Sequence, residues 1–446
     1  MQGINWRNNL PHRLNLSLFI LALFLMLMIR SDPPVWLGYG DPYDYLHQST
    51  LSLQSQNFYM PEKAPQFYPR PFTVPLFYKL AGSNPNTIIL LQKLLYALSI
   101  YLLCSVFLNY LKRLPVKVFF LVSFYLFTFW WNMLGWTNTL LSESLSISFL
   151  FLWMATFLLF LQKRTILRFV LHGIITVLFS FTRDTWPYFL LIFYFSYGLL
   201  SLRGNKQLRA AVAGFFLISV ALLFTQQHTA QVGQRYRLPI LNNIVFRILP
   251  NPVYLHWFEA NGMPCANLLK EKYSSLHVPT DIYPLYNDTA FAPLFSWVSG
   301  AGRGTYQKFL LTHPFHTLLL EEKLVEVSKL FAHDFGYTGD APDISWLSNN
   351  IFPFFNLASI ILLLWIFITI NRRESIVLWK FPLTLLITGI LHAILVYHAD
   401  ALEIERHLFM TNILIQFLGL YLVCFLLDSE TARFLLKQWK IKFKQG

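Results

Sequence analysis

The stretch Gly40-Asp41-Pro42-Tyr43-Asp44-Tyr45-Leu46 places two carboxylates just past the first hydrophobic segment. A carboxylate there can take a proton from a hydroxyl, hold a cation or cap a helix. Asp41 before Pro42 predicts an N-cap with proline at the first helical position. In the helix that follows, Asp44 lies near Asp41, because side chains three apart share a face. Four further stretches bring charge: Arg70; Glu143 in Leu141-Ser142-Glu143; Arg183 with Asp184; and His398, Asp400, Glu403, Glu405, Arg406 and His407. Each has a plain structural alternative. Asp41 and Glu143 can cap helices, Arg183 and Asp184 can form a local ion pair, and 398–407 can be a solvated turn. Their joint pattern points to chemistry on a negatively charged substrate. His12, His172 and His392 stand alone near or within apolar spans and read as packing or hydrogen-bonding residues.

The elements that must position these groups are membrane helices. The chain has 446 residues, 55% hydrophobic and only 13% charged, too little polar surface for a soluble protein of this length. The expected fold is an all-α polytopic membrane protein with about ten transmembrane helices and two long outward loops. Spans are expected near 14–30, 86–110, 115–134, 142–161, 166–182, 186–202, 209–226, 351–370, 376–397 and 407–427. The formal charge of +13 does not indicate nucleic acid, because the basic residues cluster beside the apolar spans and would face lipid headgroups. Cys104 and Cys424 lie in apolar spans and Cys265 stands apart, which implies neither a disulfide framework nor a metal cluster. The first apolar run has no small-residue cleavage site and reads as an uncleaved signal anchor.

Orientation follows from lysine and arginine in the short connections. Arg7, Arg13, Lys112, Arg113, Lys117, Lys163, Arg164, Arg168, Arg203, Lys206, Arg209, Arg372, Arg373, Lys380 and the basic tail fall on one side if there are ten spans. That side is expected to be cytoplasmic, with both termini inside. The outward loops are then 31–85 and 227–350, and the organisation is a membrane module 1–226, an outer helical cap 227–350 and a C-terminal module 351–446. The prolines of Tyr68-Pro69-Arg70-Pro71 keep that part of the first loop extended or turning. A helix is expected from His316 to Phe331, and Asn287-Asp288-Thr289 is a glycosylation sequon on the outward side.

These residues resemble a family. Gly40-Asp41 with Tyr45-Leu46, the proline-rich Tyr68-Pro69-Arg70-Pro71 with Pro75, Leu91-Gln92-Lys93-Leu94-Leu95, Leu141-Ser142-Glu143 and Glu405-Arg406-His407 are similar, in order and topology, to motifs of GT-C superfamily membrane glycosyltransferases. The nearest branch is that of the protein O-mannosyltransferases and the lipid A aminoarabinose transferase. The match is good over roughly the first 200 residues and is one of layout beyond them. Many relatives carry adjacent acids in the first loop, whereas Asp41 and Asp44 are three apart with Pro42 between.

The resemblance implies a multi-pass plasma (inner) membrane enzyme with its site facing outward. It would move a sugar from a polyprenyl-phosphate donor to a lipid, glycan or protein acceptor, with inversion. Asp41, Asp44 and Glu143 would be the catalytic acids, with Asp41 first as the base that takes the acceptor's proton. Arg406, Arg70, Arg183 and His407 would hold the donor phosphate. Tyr45, Asp184, Asp400, Glu403 and Glu405 would support them. No organic cofactor is implied, and a divalent ion (Mg or Mn) is left open because only some relatives need one. Two other readings stand beside this one. They are a transporter or flippase of lipid-linked sugars, and a non-catalytic membrane protein of envelope assembly.

Overall fold

The computed structural model describes residues 6–28, 40–60, 68–129, 131–202, 205–273, 285, 288–318, 376–401 and 404–428. No strand occurs among them. The first half runs α1 (Trp6–Met28), α2 (Asp41–Thr50), α3 (Gln56–Tyr59), α4 (Thr73–Leu80), α5 (Pro85–Leu108), α6 (Leu114–Thr128), α7 (Trp131–Leu134), α8 (Ser142–Gln162), α9 (Ile166–Ser180), α10 (Trp186–Leu200) and α11 (Lys206–Val232). There follow α12 (Arg237–Asn243), α13 (Pro252–Ala260), α14 (Ala266–Tyr273), α15 (Ala292–Trp297), α16 (Arg303–Thr312), α17 (Pro314–Leu318), α18 (Ile376–Ala399) and α19 (Ile404–Asp428).

Six of these helices are long and apolar enough to cross a membrane: Asn9–Met28 of α1, all of α5, α8 and α11, Lys380–Ala399 of α18 and Arg406–Asp428 of α19. Six of the expected spans fall on them. Three more, 115–134, 166–182 and 186–202, fall on α6, α9 and α10, which are apolar but only 15 residues each. Fifteen residues rise about 22 Å, short of a hydrocarbon core of roughly 30 Å. The expected span 351–370 and most of the expected helix 316–331 lie outside the described residues. Ile20, Phe24, Leu217 and Phe224 are each more than half exposed on α1 and α11. A chain with six such helices and such surfaces has the character of a multi-pass membrane protein.

The helix starts obey local chemistry. Asn84, Thr165, Asn205 and Asn251 each accept a backbone N–H of the first turn they precede, and proline follows directly at Pro85 and Pro252. Asp41 departs from the expected cap. Gly40 occupies the cap position with φ 71° and ψ −149°, and Asp41 is already the first helical residue. An L side chain resists that backbone, so glycine sets the entry angle and leaves the Asp41 carboxylate to point elsewhere.

Helix α8 is the axis of the bundle. It is apolar on every face and buried along nearly its whole length, so it needs neighbours all round. Side-chain bonds give the directions of those neighbours. Gln92 near the start of α5 donates to Thr139 O just before α8, and Tyr110 just after α5 donates to Leu158 O near the end of α8, so the two run parallel. Tyr96 donates to Thr128 O, which sets α6 antiparallel to α5. Arg168 at the start of α9 donates to Leu159 O near the end of α8, and Ser146 meets Thr182 at the other end. Gln226 late in α11 reaches Asp184 before α10.

Two ends emerge. One gathers residues 41–48, 70, 139–146, 182–186 and 226–235. At the other, the backbone N–H groups of Lys112 and Arg113 both donate to the Asp428 carboxylate at the end of α19, each at 2.8 Å. A second hydrophobic core, formed by described residues from Ile240 to Tyr273 and from Leu285 to Phe309, sits at the first end. It docks on the end of α18 through Arg247 stacked 3.9 Å over Tyr397, Asn243 donating to His398 O and Tyr306 donating to His398 O.

Candidate functional site

The start of α2 presents one continuous face of Asp41, Asp44, Tyr45 and Gln48, positions i, i+3, i+4 and i+7 of a helix. The segment before α4 lies against that face. Gln48 donates to Arg70 O at 3.0 Å and accepts from Arg70 N at 2.8 Å, which clamps the Arg70 backbone. The Arg70 guanidinium then bonds Asp44 Oδ2 through Nη2 at 2.6 Å and through Nε at 3.1 Å. Tyr68 N donates to the other Asp44 oxygen at 3.0 Å. The same Arg70 Nη2 lies 2.5 Å from Asp41 Oδ1.

The second half of the site comes from the bundle. Glu143 lies in the first turn of α8, and no side chain caps that turn. Arg406, near the start of α19, donates to Glu143 through Nε at 2.6 Å to one oxygen and through Nη2 at 3.3 Å to the other. Arg406 Nη2 also donates to Asp41 Oδ2 at 2.9 Å. Arg183 Nη1 lies 3.3 Å from Glu143 Oε1. Its Nη2 is 2.6 Å from His407 Nδ1. An arginine has no acceptor, so Nδ1 accepts and His407 is neutral with its proton on Nε2. Thr182 and Trp186 both bond Ser146, which seats the Arg183 turn over α8. Phe181 O accepts from Thr73 N and ties that turn to the first loop.

The result is an alternating series, Asp44, Arg70, Asp41, Arg406, Glu143, Arg183, with three acids and three arginines in balance. Within it Asp41 is distinct. Its side chain is 28% exposed, against 4% for Asp44 and 0% for Glu143, and it alone is shared by two arginines from different halves of the site. The chain matches no protein-family model, no curated protein and no solved structure. The geometry is therefore the basis for a functional reading.

Burial works against charge on Asp41, yet Arg70 and Arg406, with Arg183 behind them, outweigh it and hold the carboxyl below its ordinary value. At Asp44 burial prevails over Arg70 and raises the carboxyl above its ordinary value. Burial pushes the Tyr45 phenol up to about 12, so it stays protonated and can donate. Arg70 is stacked on the Tyr45 ring, 5.7 Å from its centroid. Burial opposes its charge, but Asp41 and Asp44 outweigh that and raise it further.

The structure thus brings together Asp41, Asp44, Tyr45, Arg70, Glu143, Arg183, Arg406 and His407. It separates two other expected members. Asp184 is not the partner of Arg183; it is gripped by Arg235, with Nη2–Oδ1 at 2.8 Å and Nε–Oδ2 at 3.1 Å, and by Gln226. Asp400 accepts from Asn242 of α12 at 2.8 Å. Glu403 and the Glu405 side chain lie outside the described residues. His172 bonds Thr156 and Tyr194 inside the bundle, as a hydrogen-bonding residue does.

Arg235 and Gln48 join the site without belonging to any motif of the sequence. Gln48 was legible from its helical spacing after Asp41 and Asp44, whereas Arg235 sits in a polar stretch with no periodic signal. Among the described residues no group of three His, Cys, Asp or Glu side chains is arranged to hold a metal ion. A divalent ion beside Asp41, Asp44 and Glu143 would meet the guanidiniums of Arg70, Arg406 and Arg183 already neutralising them, so these residues do not fit one.

Proposed function

We propose that this chain is an integral-membrane glycosyltransferase of GT-C type that moves a sugar from a polyprenyl-phosphate donor to an acceptor hydroxyl. The observation that supports it best is Asp41, the solvent-open acid held between Arg70 and Arg406 at the end of the bundle. A carboxylate next to paired guanidiniums supplies the two things such a reaction needs. One is a proton acceptor for the nucleophile; the other is fixed positive charge where the phosphate leaves. The sealed acids have a different use. Asp44 orients Arg70 and Glu143 orients Arg406, each by two bonds.

In the proposed step the acceptor oxygen forms a bond to the anomeric carbon and gives its proton to Asp41. The bond from that carbon to the phosphate oxygen breaks, and its electron pair stays on the phosphate. A phosphodiester with one negative charge thereby becomes a monoester with two, which Arg406 and Arg70 stabilise, and Arg183 backs them through Glu143. Attack from the face opposite the phosphate inverts the sugar.

The ten-span topology belongs to the same proposal, with the plasma membrane as location, both termini cytoplasmic and the site outward. The chain stands at the site end at Leu318 and resumes in α18, whose far end packs at the site end again through His398 and Thr317. The expected span 351–370 lies outside the described residues. Glu143 and Arg406 lie at helix starts, Arg183 between helices. A transporter site would be expected near the middle of the bundle, so this placement favours chemistry at the membrane surface.

The test is incubation of the purified protein with a panel of radiolabelled polyprenyl-phosphate sugars, reading transfer or slow release of sugar. Failure of every donor, together with movement of lipid-linked sugar across proteoliposomes, would replace the enzyme with a flippase.

A further inference from the structure

The Asp41 carboxylate binds Arg70 through Oδ1 and Arg406 through Oδ2, one oxygen to each guanidinium. A phosphodiester offers the same thing, two non-bridging oxygens on one atom carrying one negative charge. Each arginine has a second, buried anchor that does not depend on Asp41. Arg70 is held by Asp44 and by the Gln48 clamp on its backbone; Arg406 is held by the Glu143 fork. The two guanidiniums therefore keep their places if Asp41 departs. Asp41 has room to depart, being the first residue of α2 behind a glycine and the acid with an opening to solvent.

We infer that Asp41 is the resident occupant of the anion seat, and that a lipid phosphodiester binds by displacing it from Arg70 and Arg406, which turns Asp41 into a proton acceptor. This rests on the lipid-phosphate reading above and goes beyond it, because it makes donor binding the event that activates the base. Charge balance drives the coupling. The groups facing Asp41 are Asp44 and Tyr45 on its own helix, Arg70, Glu143 of α8, Arg183, and Arg406 with His407 of α19. Three acids match three arginines before the anion arrives. The diester adds one negative charge, and one proton on Asp41 restores neutrality. In the resting protein the two cations make Asp41 a poor base, which protects against abstraction of a proton before the donor is seated.

The experiment is calorimetric titration of the purified protein in detergent with dodecyl methyl phosphate, a lipid phosphodiester with no sugar and no titratable group near neutrality. Wild type should bind it with proton uptake at pH 5, read as a dependence of the heat on the buffer's ionisation enthalpy. Asp41→Asn should bind roughly tenfold more tightly, because the competing anion is gone, and without that uptake. Equal or weaker binding by a folded Asp41→Asn overturns displacement and leaves the anion site standing. If Asp41→Asn does not fold, the wild type decides alone: binding without proton uptake overturns the inference. No diester binding by wild type removes both the inference and the lipid-phosphate reading.

Discussion

Arg406 and Glu143 are 263 positions apart in the chain and meet through two bonds, Nε–Oε1 at 2.6 Å and Nη2–Oε2 at 3.3 Å, with Glu143 fully buried. A buried carboxylate that loses its partner keeps its desolvation penalty, so Arg406→Ala should destabilise the protein by about 3–5 kcal/mol. Arg406→Lys keeps the charge without the planar fork and should recover part of the stability and little of the transfer. The double change Arg406→Ala with Glu143→Gln removes both charges. Its melting temperature should recover towards wild type while transfer stays lost. Equal melting of the single and double variants would mean that Arg183 alone satisfies Glu143.

The two aspartates of the first loop separate by variant. Asp41 makes no cap bond at the start of α2, so Asp41→Asn should not loosen that helix. If it is the proposed base, its loss should slow transfer by about a hundredfold to ten-thousandfold. Asp44→Asn weakens the tether on Arg70 and should raise the KM for donor more than it lowers kcat. A silent Asp41→Asn beside a dead Asp44→Asn would move the base to Asp44.

Much of this site was legible because charge at the edge of an apolar run is costly and conspicuous. Glu143, Arg183 and Arg406 stand out that way, and all three lie in the network. Their partners were not legible. Arg183 and Asp184 are adjacent in sequence, yet one turns to Glu143 and the other to Arg235, because neighbouring side chains leave the backbone in different directions. Which pairs form depends on helix rotation, and apolar composition does not fix rotation when every face is greasy, as on α8. The Asp41-Pro42 pair pointed to a cap, and glycine took that position instead. The apolar runs of α9 and α10 predict spans 166–182 and 186–202, but each helix has 15 residues; α9 ends at Ser180, where Phe181 and Thr182 turn to serve the site, and α10 ends at Leu200.

Orientation can be read from the native cysteines. Cys104 and Cys424 are buried, whereas Cys265, packed against the second core, is partly exposed. A membrane-impermeant maleimide should label right-side-out vesicles at Cys265, and Cys265→Ser should abolish the signal. Labelling only after the membrane is opened would put this second core, and the end of the bundle that carries the site, on the cytoplasmic side.

The pH dependence of turnover tests the coupling between donor and base through two separate limbs. The acid limb of kcat/KM reports the free enzyme and that of kcat reports the loaded one. In the unliganded protein Arg70 and Arg406 overcome the effect of burial and hold Asp41 below its ordinary 3.8. Asp41 therefore stays ionised from pH 7 down to about pH 5, and kcat/KM should lose nothing to its protonation in that range. The same sign governs stability. A carboxyl lowered on folding contributes above 3.8 and loses that contribution as pH falls through its lower folded value, so Asp41→Asn should flatten the stability profile only on the strongly acid side. Once a phosphodiester has taken the two guanidiniums, Asp41 faces an anion instead of two cations, and its proton affinity rises. The acid limb of kcat should then lie at higher pH than that of kcat/KM. The order matters because a base held permanently between two arginines would give coincident limbs, and coincident limbs would leave Asp41 paired throughout turnover and assign the proton to another group.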